Sequence, residues 1–119
     1  MILADTSIWI DHLRAGDAEL ARRLSTGAIA CHPFVVAEIA LGSLRDRDGV
    51  LTLLDRLPGL PVAEAHEVRT LIDARHLFSR GIGYVDASLV ASCLLAPGSS
   101  LWTRDRRLAA IAEELEIGL

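Results

Sequence analysis

Three carboxylates stand in this sequence where a charge is least expected. Asp5 is the only charged residue among positions 1–10, Glu38 the only acid or arginine between Ala28 and Leu44, and Asp86 the only one between Gly81 and Thr103. An ionised carboxylate among apolar residues costs several kcal/mol, or is driven neutral, unless a partner compensates it. The chain has no lysine, and its twelve basic residues are all arginines, so organic cations are sparse around these positions. A divalent ion would serve, and oxygen-only donors select hard cations, Mg²⁺ or Mn²⁺, over zinc.

A fourth acid, Asp105, comes just after the short run Leu101–Thr103, separated from it by Arg104, much as Asp5 follows Met1–Ala4. Each acid alone has a plainer role open to it. Asp5 and Asp105 can cap the helices that follow them, Asp86 can sit in a first helical turn favoured by the dipole, and Glu38 can pair with an arginine such as Arg45. Their joint occurrence at strand ends and in apolar segments is what points to a shared site. Most other acids, Asp17, Glu19, Asp46, Asp48, Asp55, Glu113 and Glu114 among them, lie among charges or in turns where solvated faces are expected.

Other chemistries find little support. His66-Glu67 has Thr70 where H-E-x-x-H needs its second histidine, and His12, His32, His66 and His76 read as surface or core residues. Cys31 and Cys93 form no C-x-x-C and read as core. Without lysine there is neither a P-loop nor a Schiff base, and a receiver domain lacks its lysine. Asp5-Thr6-Ser7 departs from the Asp-x-Asp of phosphatase-type aspartyl chemistry.

The elements that must position these groups follow from periodicity. Met1–Asp5 reads as a buried strand feeding a helix, Asp17–Leu24 as a helix closed by Gly27, and Ala28–Cys31 as a strand followed by a helix that starts near Pro33. After the Asp46–Gly49 turn, Val50–Leu57 is a helix stopped by Pro58-Gly59, and Leu60–Ala63 is expected as a third strand. Glu64–Phe78 is expected as a long amphipathic helix, and Asp86 to about Ala96 as an apolar one. Leu101–Thr103 is a fourth strand, Asp105 opens the last helix, and Glu116-Ile117 is a short edge strand. Strands alternating with helices imply a parallel sheet covered on both faces, with a site beyond the carboxyl ends of its strands.

At 119 residues, 51% apolar and 24% charged, the chain is expected to form a single soluble domain over residues 1–119. The stretch Gly81–Thr103 is interrupted by Asp86 and Pro97-Gly98 and falls short of a membrane span. The N-terminal Ile2-Leu3-Ala4-Asp5 lacks the basic start of a secretory signal, and the expected location is the cytoplasm. A net charge of −4 argues against a nucleic-acid partner at first sight. Setting the four candidate ligands aside leaves twelve acids against twelve arginines, which would concentrate the surplus in one cation-binding cleft.

Four segments together resemble the PIN-domain family, specifically the VapC toxins: Ile2-Leu3-Ala4-Asp5-Thr6-Ser7, Val35-Val36-Ala37-Glu38-Ile39, Gly83-Tyr84-Val85-Asp86-Ala87-Ser88-Leu89-Val90-Ala91, and Leu101-Trp102-Thr103-Arg104-Asp105-Arg106-Arg107-Leu108. They span nearly the whole chain. The resemblance implies a three-layer α/β/α sandwich with a mostly parallel sheet, in which Asp5, Glu38, Asp86 and Asp105 surround Mg²⁺ or Mn²⁺, with Thr6, Ser7 and Thr103 as supporting hydroxyls or helix caps. It also implies cleavage of RNA, a small VapB-type antitoxin covering the active-site groove, and a homodimer built on the apolar faces of the Val50–Leu57 and Glu64–Phe78 helices. Arg14, Arg45, Arg80, Arg104, Arg106 and Arg107 are the candidates for RNA phosphate contacts, each with a solvated-face role as the alternative. Trp102 is expected to pack rather than to shape the groove. A catalytically silent module that only binds RNA or an antitoxin is the rival on the same fold.

Overall fold

The computed structural model describes residues 1–119. Three short strands, β1 (Ile2–Ala4), β2 (Ile29–Ala30) and β3 (Ser100–Trp102), form a parallel sheet in the order β2-β1-β3. Seven helices surround it: α1 (Thr6–Ala15), α2 (Ala18–Ser25), α3 (Pro33–Ala40), α4 (Arg47–Arg56), α5 (Ala65–Ala74), α6 (Tyr84–Leu95) and α7 (Arg106–Glu114). The α/β sandwich expected from the alternating pattern is the architecture observed.

The first strand lies in the middle because its residues can be buried on both faces. Leu3 and Ala4 have no exposed surface, and Leu3 stands in register with Ala30 on one side and Leu101 on the other, both buried as well. The ladder runs one residue past the strand, where the Asp5 N–H donates to the Trp102 carbonyl at 3.0 Å. A central strand thus ends on Asp5, and any group placed there inherits the rigidity of the core. On the covering layers, Ile8 and Trp9 of α1 are fully buried, and α6 is buried continuously from Ala87 to Cys93. That burial accounts for its lack of a polar stripe: a helix apolar all round belongs inside.

Caps start several helices where the polar residues predict them. Asp5 accepts from the Ile8 N–H at 3.2 Å, Asp17 from Leu20 at 2.9 Å, and Asp105 from Arg107 and Leu108 at 2.9 and 3.1 Å. Pro33 occupies the first turn of α3, as expected of a residue without an N–H to satisfy.

Three boundaries differ from the sequence expectation. Leu60–Ala63 forms no strand; pairing there is reduced to a single bridge between Cys31 and Gly59. Pro61 brings no N–H to a ladder, and Pro58 precedes the one paired residue. The helix expected through Phe78 stops at Ala74, because His76 and Ser79 adopt φ of 53° and 59°, in the left-handed region that cannot continue a helix. The C-terminal edge pairing is a single bridge of Gly118 with Leu101, in which the Leu101 N–H donates to the Ile117 carbonyl at 2.7 Å, while Glu116, with φ 60°, stays outside it. No helix is long and apolar enough to cross a membrane.

Because the core converges on β1, Leu3→Ala is expected to cost about 2–5 kcal/mol of unfolding free energy. Leu41→Ala, at a side chain 88% exposed, is expected to stay within about 0.5 kcal/mol of the parent. Urea midpoints of the two variants at equal slope measure both.

Candidate active site

Asp5 is almost fully buried, with 5% of its surface exposed, yet no arginine reaches it. Its oxygens are held by hydroxyls and one amide. Oδ1 accepts from the Ser7 hydroxyl at 2.5 Å and from the Ile8 N–H, and Oδ2 accepts from the Thr103 hydroxyl. Thr103 and Ser7 each take a second bond from the loop after β3: Thr103 Oγ1 accepts the Asp105 N–H at 3.0 Å, and Ser7 Oγ accepts the Arg104 N–H at 3.1 Å. The loops that leave β1 and β3 are therefore tied to each other through Asp5. Asp5 is both the cap of α1 and the centre of this network, so the structural role does not displace the other.

Glu38 projects from α3 into solvent and is met by α1, where the Thr6 hydroxyl donates to its Oε1 at 2.6 Å. Asp86 is the third residue of α6 rather than its first, with the Gly83 N–H 3.4 Å from its Oδ2. Burial pushes the Asp86 carboxyl above the usual carboxylate range, and the charges of Asp5, Asp105 and Glu38 push it further, against the Gly83 N–H, which lowers it. Asp86 thus feels the other three acids, which are carried by three other parts of the fold. None of them takes part in any of the seven ion pairs of the protein, and Glu38 is not paired with Arg45.

The cluster is uncompensated, and its donors are oxygens only, the chemistry that Mg²⁺ or Mn²⁺ fits. The carboxylates do not converge fully: no three His, Cys, Asp or Glu side chains are close enough together to hold one ion. Hydroxyls of Thr6, Ser7 and Thr103 occupy carboxylate oxygens instead.

The arginines divide into two groups. Arg104 donates to Asp11 at 2.6 Å and to Asp17, which keeps its guanidinium off the cleft. Asp17 is held below the usual carboxylate range by the Leu20 N–H and by Arg104. Arg80 is bound through both terminal nitrogens to Glu114, at 2.9 and 2.8 Å. Arg14 and Arg45, by contrast, line a cavity of about 440 Å³ between α1, α3 and α4 that opens onto Glu38. Arg106 and Arg107 are exposed on the first turn of α7, with the Arg107 side chain against Gly81.

Sequence reasoning passed over Asp11 and Asp17, whose carboxylates fix the loop that carries Thr103 and Asp105. The Asp-x-x-Leu spacing at 17–20 signals the cap; nothing local signals the arginine 87 positions away. Trp102 packs against the core and lies under the Arg23 guanidinium, 4.9 Å from its ring centre. His32 is buried, and burial holds its imidazole below the usual range. Cys31 and Cys93 are free and buried, and burial raises both thiols, Cys93 to about 12.

Removing one charge from a crowded acidic cluster relieves it, so Asp86→Asn is expected to raise stability in EDTA by about 0.5–2 kcal/mol. Thr103→Val leaves an Asp5 oxygen without its donor and is expected to lower stability by about 1–3 kcal/mol. Thermal unfolding of both metal-free variants reads the opposite signs.

The PIN domain model matches residues 2–114. Ribonuclease VapC32 of Mycobacterium tuberculosis strain H37Rv is 50% identical over 119 residues, covering 100% of this chain and 96% of the relative. The same protein of strain CDC 1551 / Oshkosh matches with the same figures. With Asp5 and Asp105 just past two neighbouring strands, Glu38 and Asp86 on the helices beside them, and a family match along almost the whole chain, this protein belongs to the PIN-domain family, in its VapC-type branch.

Proposed function

We propose that this chain is a Mg²⁺- or Mn²⁺-dependent endoribonuclease toxin, acting as one PIN domain over residues 1–119 and restrained by a small VapB-type antitoxin. The observation that carries the reading is that Asp5, Glu38 and Asp105 all bear on Asp86 while none of the four is paired with an arginine. Identity of 50% to a protein named ribonuclease supports RNA as the substrate.

Asp5, Glu38 and Asp86 would hold the ion, with Asp105 at its water or at a second ion. When bound, the divalent cation supplies positive charge against the attacked phosphodiester and acidifies water at the site. Asp5, set by the rigid end of β1, fixes where the scissile phosphate must lie. Thr103 and Ser7 keep its two oxygens oriented, and Thr6 does the same for Glu38. Thr103 also connects Asp5 to the backbone of Asp105, so the fourth acid is placed relative to the first. Water attacks phosphorus in line, the bond to the 3′ oxygen breaks, and a 5′ phosphate and a 3′ hydroxyl remain. Arg14 and Arg45, beside Glu38, and Arg106 and Arg107, beside Asp105, are the guanidiniums placed to take neighbouring phosphates.

The cavity beside Glu38 has an apolar wall of Ile10, Leu13, Ile39 and Val50. An antitoxin segment seated there covers the acids, which accounts for inhibition by occlusion. Half-exposed Leu53 on α4 and Val62 before α5 support a homodimer through that side, and the cytoplasm, where RNA is available, is the proposed location.

Purified protein is expected to cleave single-stranded RNA with Mg²⁺ or Mn²⁺ and to stop in EDTA. Asp5→Asn is expected to lose at least about 100-fold in rate, more than the roughly 10- to 100-fold of a supporting change such as Thr103→Val. Cleavage that persists in EDTA contradicts the mechanism. Binding of RNA without cleavage under every metal condition identifies the silent module instead.

A further inference from the structure

Only five Phe, Trp and Tyr side chains occur in this chain, and two of them meet beside the acids. Phe34 and Tyr84 meet with ring centres 6.2 Å apart and their planes tilted by 39°. Each is carried by an element that also carries an acid. Phe34 precedes Glu38 by four residues on α3, which places the two on one helix face about 6 Å apart along the axis. Tyr84 opens α6, two residues before Asp86.

The pair is not buried as core aromatics are. Trp9 has no exposed surface, whereas Tyr84 is 50% exposed and Phe34 is half-buried. Phe34 is fixed from behind: the buried His32 ring meets it edge-on with centres 5.0 Å apart, and His32 Nδ1 accepts the Phe34 N–H at 3.0 Å. A fixed ring beside a second, half-open ring leaves an aromatic face exposed next to the helix that carries Glu38. The guanidiniums of Arg14 and Arg45 lie in the cavity that Glu38 also lines, toward the other end of α3. Along that helix the order is aromatic face, carboxylate, cationic cavity.

Resting on the ribonuclease reading, we propose that Phe34 and Tyr84 form a nucleobase subsite, on which the base of a nucleotide flanking the scissile phosphate stacks while the backbone continues past Glu38 toward Arg14 and Arg45. Unpaired bases are the ligands that such surfaces take, because every base has a π-face and stacking tolerates any sequence. The subsite favours unpaired RNA, since a base held in a duplex cannot reach the ring.

Tyr84 is the only tyrosine of the chain, so its contact can be read directly. The full protein, with Ca²⁺ in place of Mg²⁺, is irradiated with a single-stranded oligoribonucleotide carrying 5-iodouridine, and the cross-linked peptide is identified by mass spectrometry. The expected attachment is at Tyr84 or Phe34. In parallel, Tyr84→Ser is expected to weaken binding of the oligonucleotide by about 5- to 100-fold, the loss of one base stack. In turnover with Mn²⁺ it raises KM more than it lowers kcat, while Tyr84→Phe keeps wild-type values. Matching unfolding curves for the two variants exclude a folding defect.

Cross-linking elsewhere, with Tyr84→Ser binding and cleaving as the wild type does, overturns the subsite and leaves the nuclease reading standing. A Tyr84→Ser variant that keeps RNA affinity but loses self-association, or loses affinity for a protein inhibitor, also overturns it and makes the pair a protein interface. Failure of the wild type to bind or cleave any RNA overturns the subsite together with the reading beneath it.

Discussion

A buried carboxylate at the end of the central strand, with three further acids on neighbouring elements and no arginine paired to any of them, is the constraint around which this molecule is built. Asp5 is nearly inaccessible to water, Asp86 is driven toward its neutral form by burial and by its three neighbours, and no arginine is spent on any of them. Left alone, such a cluster costs free energy that a small domain can ill spare, since its whole stability is of the order of 5–15 kcal/mol. The arrangement persists because the surrounding fold is stronger than the repulsion. The central strand carries fully buried Leu3 and Ala4 with paired neighbours on both sides, and it ends on the charge.

The hydroxyls explain how such a cluster stays ordered. Thr6, Ser7 and Thr103 donate to Glu38 and Asp5, and unlike arginines they hold a carboxylate without neutralising it. The positions of these carboxylates are therefore constrained with no guanidinium beside them to compete with a cation. A parallel system operates one layer out. Arg104 is clamped between Asp11 and Asp17 and its backbone reaches Ser7, so the loop bearing Thr103 and Asp105 is anchored to α1 and to the start of α2. Exposed ion pairs of this kind contribute little to global stability; their consequence here is geometric.

Much of this was legible in the residues. Strand ends that run from apolar residues into Asp-Thr-Ser or Thr-Arg-Asp announce both a cap and a site, and Asp5 and Asp105 do cap their helices. Glu38 could be singled out because it interrupts an apolar segment, and the structure leaves it without a salt bridge. What escaped the sequence depended on partners remote in the chain. Arg104 looked like its neighbours Arg106 and Arg107, and only folding shows that its two acids lie 93 and 87 positions away. Phe34 and Tyr84 looked like ordinary apolar positions until α3 and α6 brought them together. Leu60–Ala63 had the composition of a strand, but a run bounded by Pro58 and containing Pro61 makes a single bridge, not a ladder. The helix through Phe78 failed for a backbone reason, left-handed His76 and Ser79, that apolar periodicity does not report.

Diffraction from crystals grown with manganese, collected at a wavelength where the metal scatters anomalously, tests the central claim most directly. The account predicts an anomalous peak within coordination distance of Asp5, Glu38 and Asp86, with the Asp86 side chain drawn toward it. Manganese found only at other sites, with Asp5 and Glu38 still on their hydroxyl partners and Asp86 on the Gly83 N–H, would contradict it.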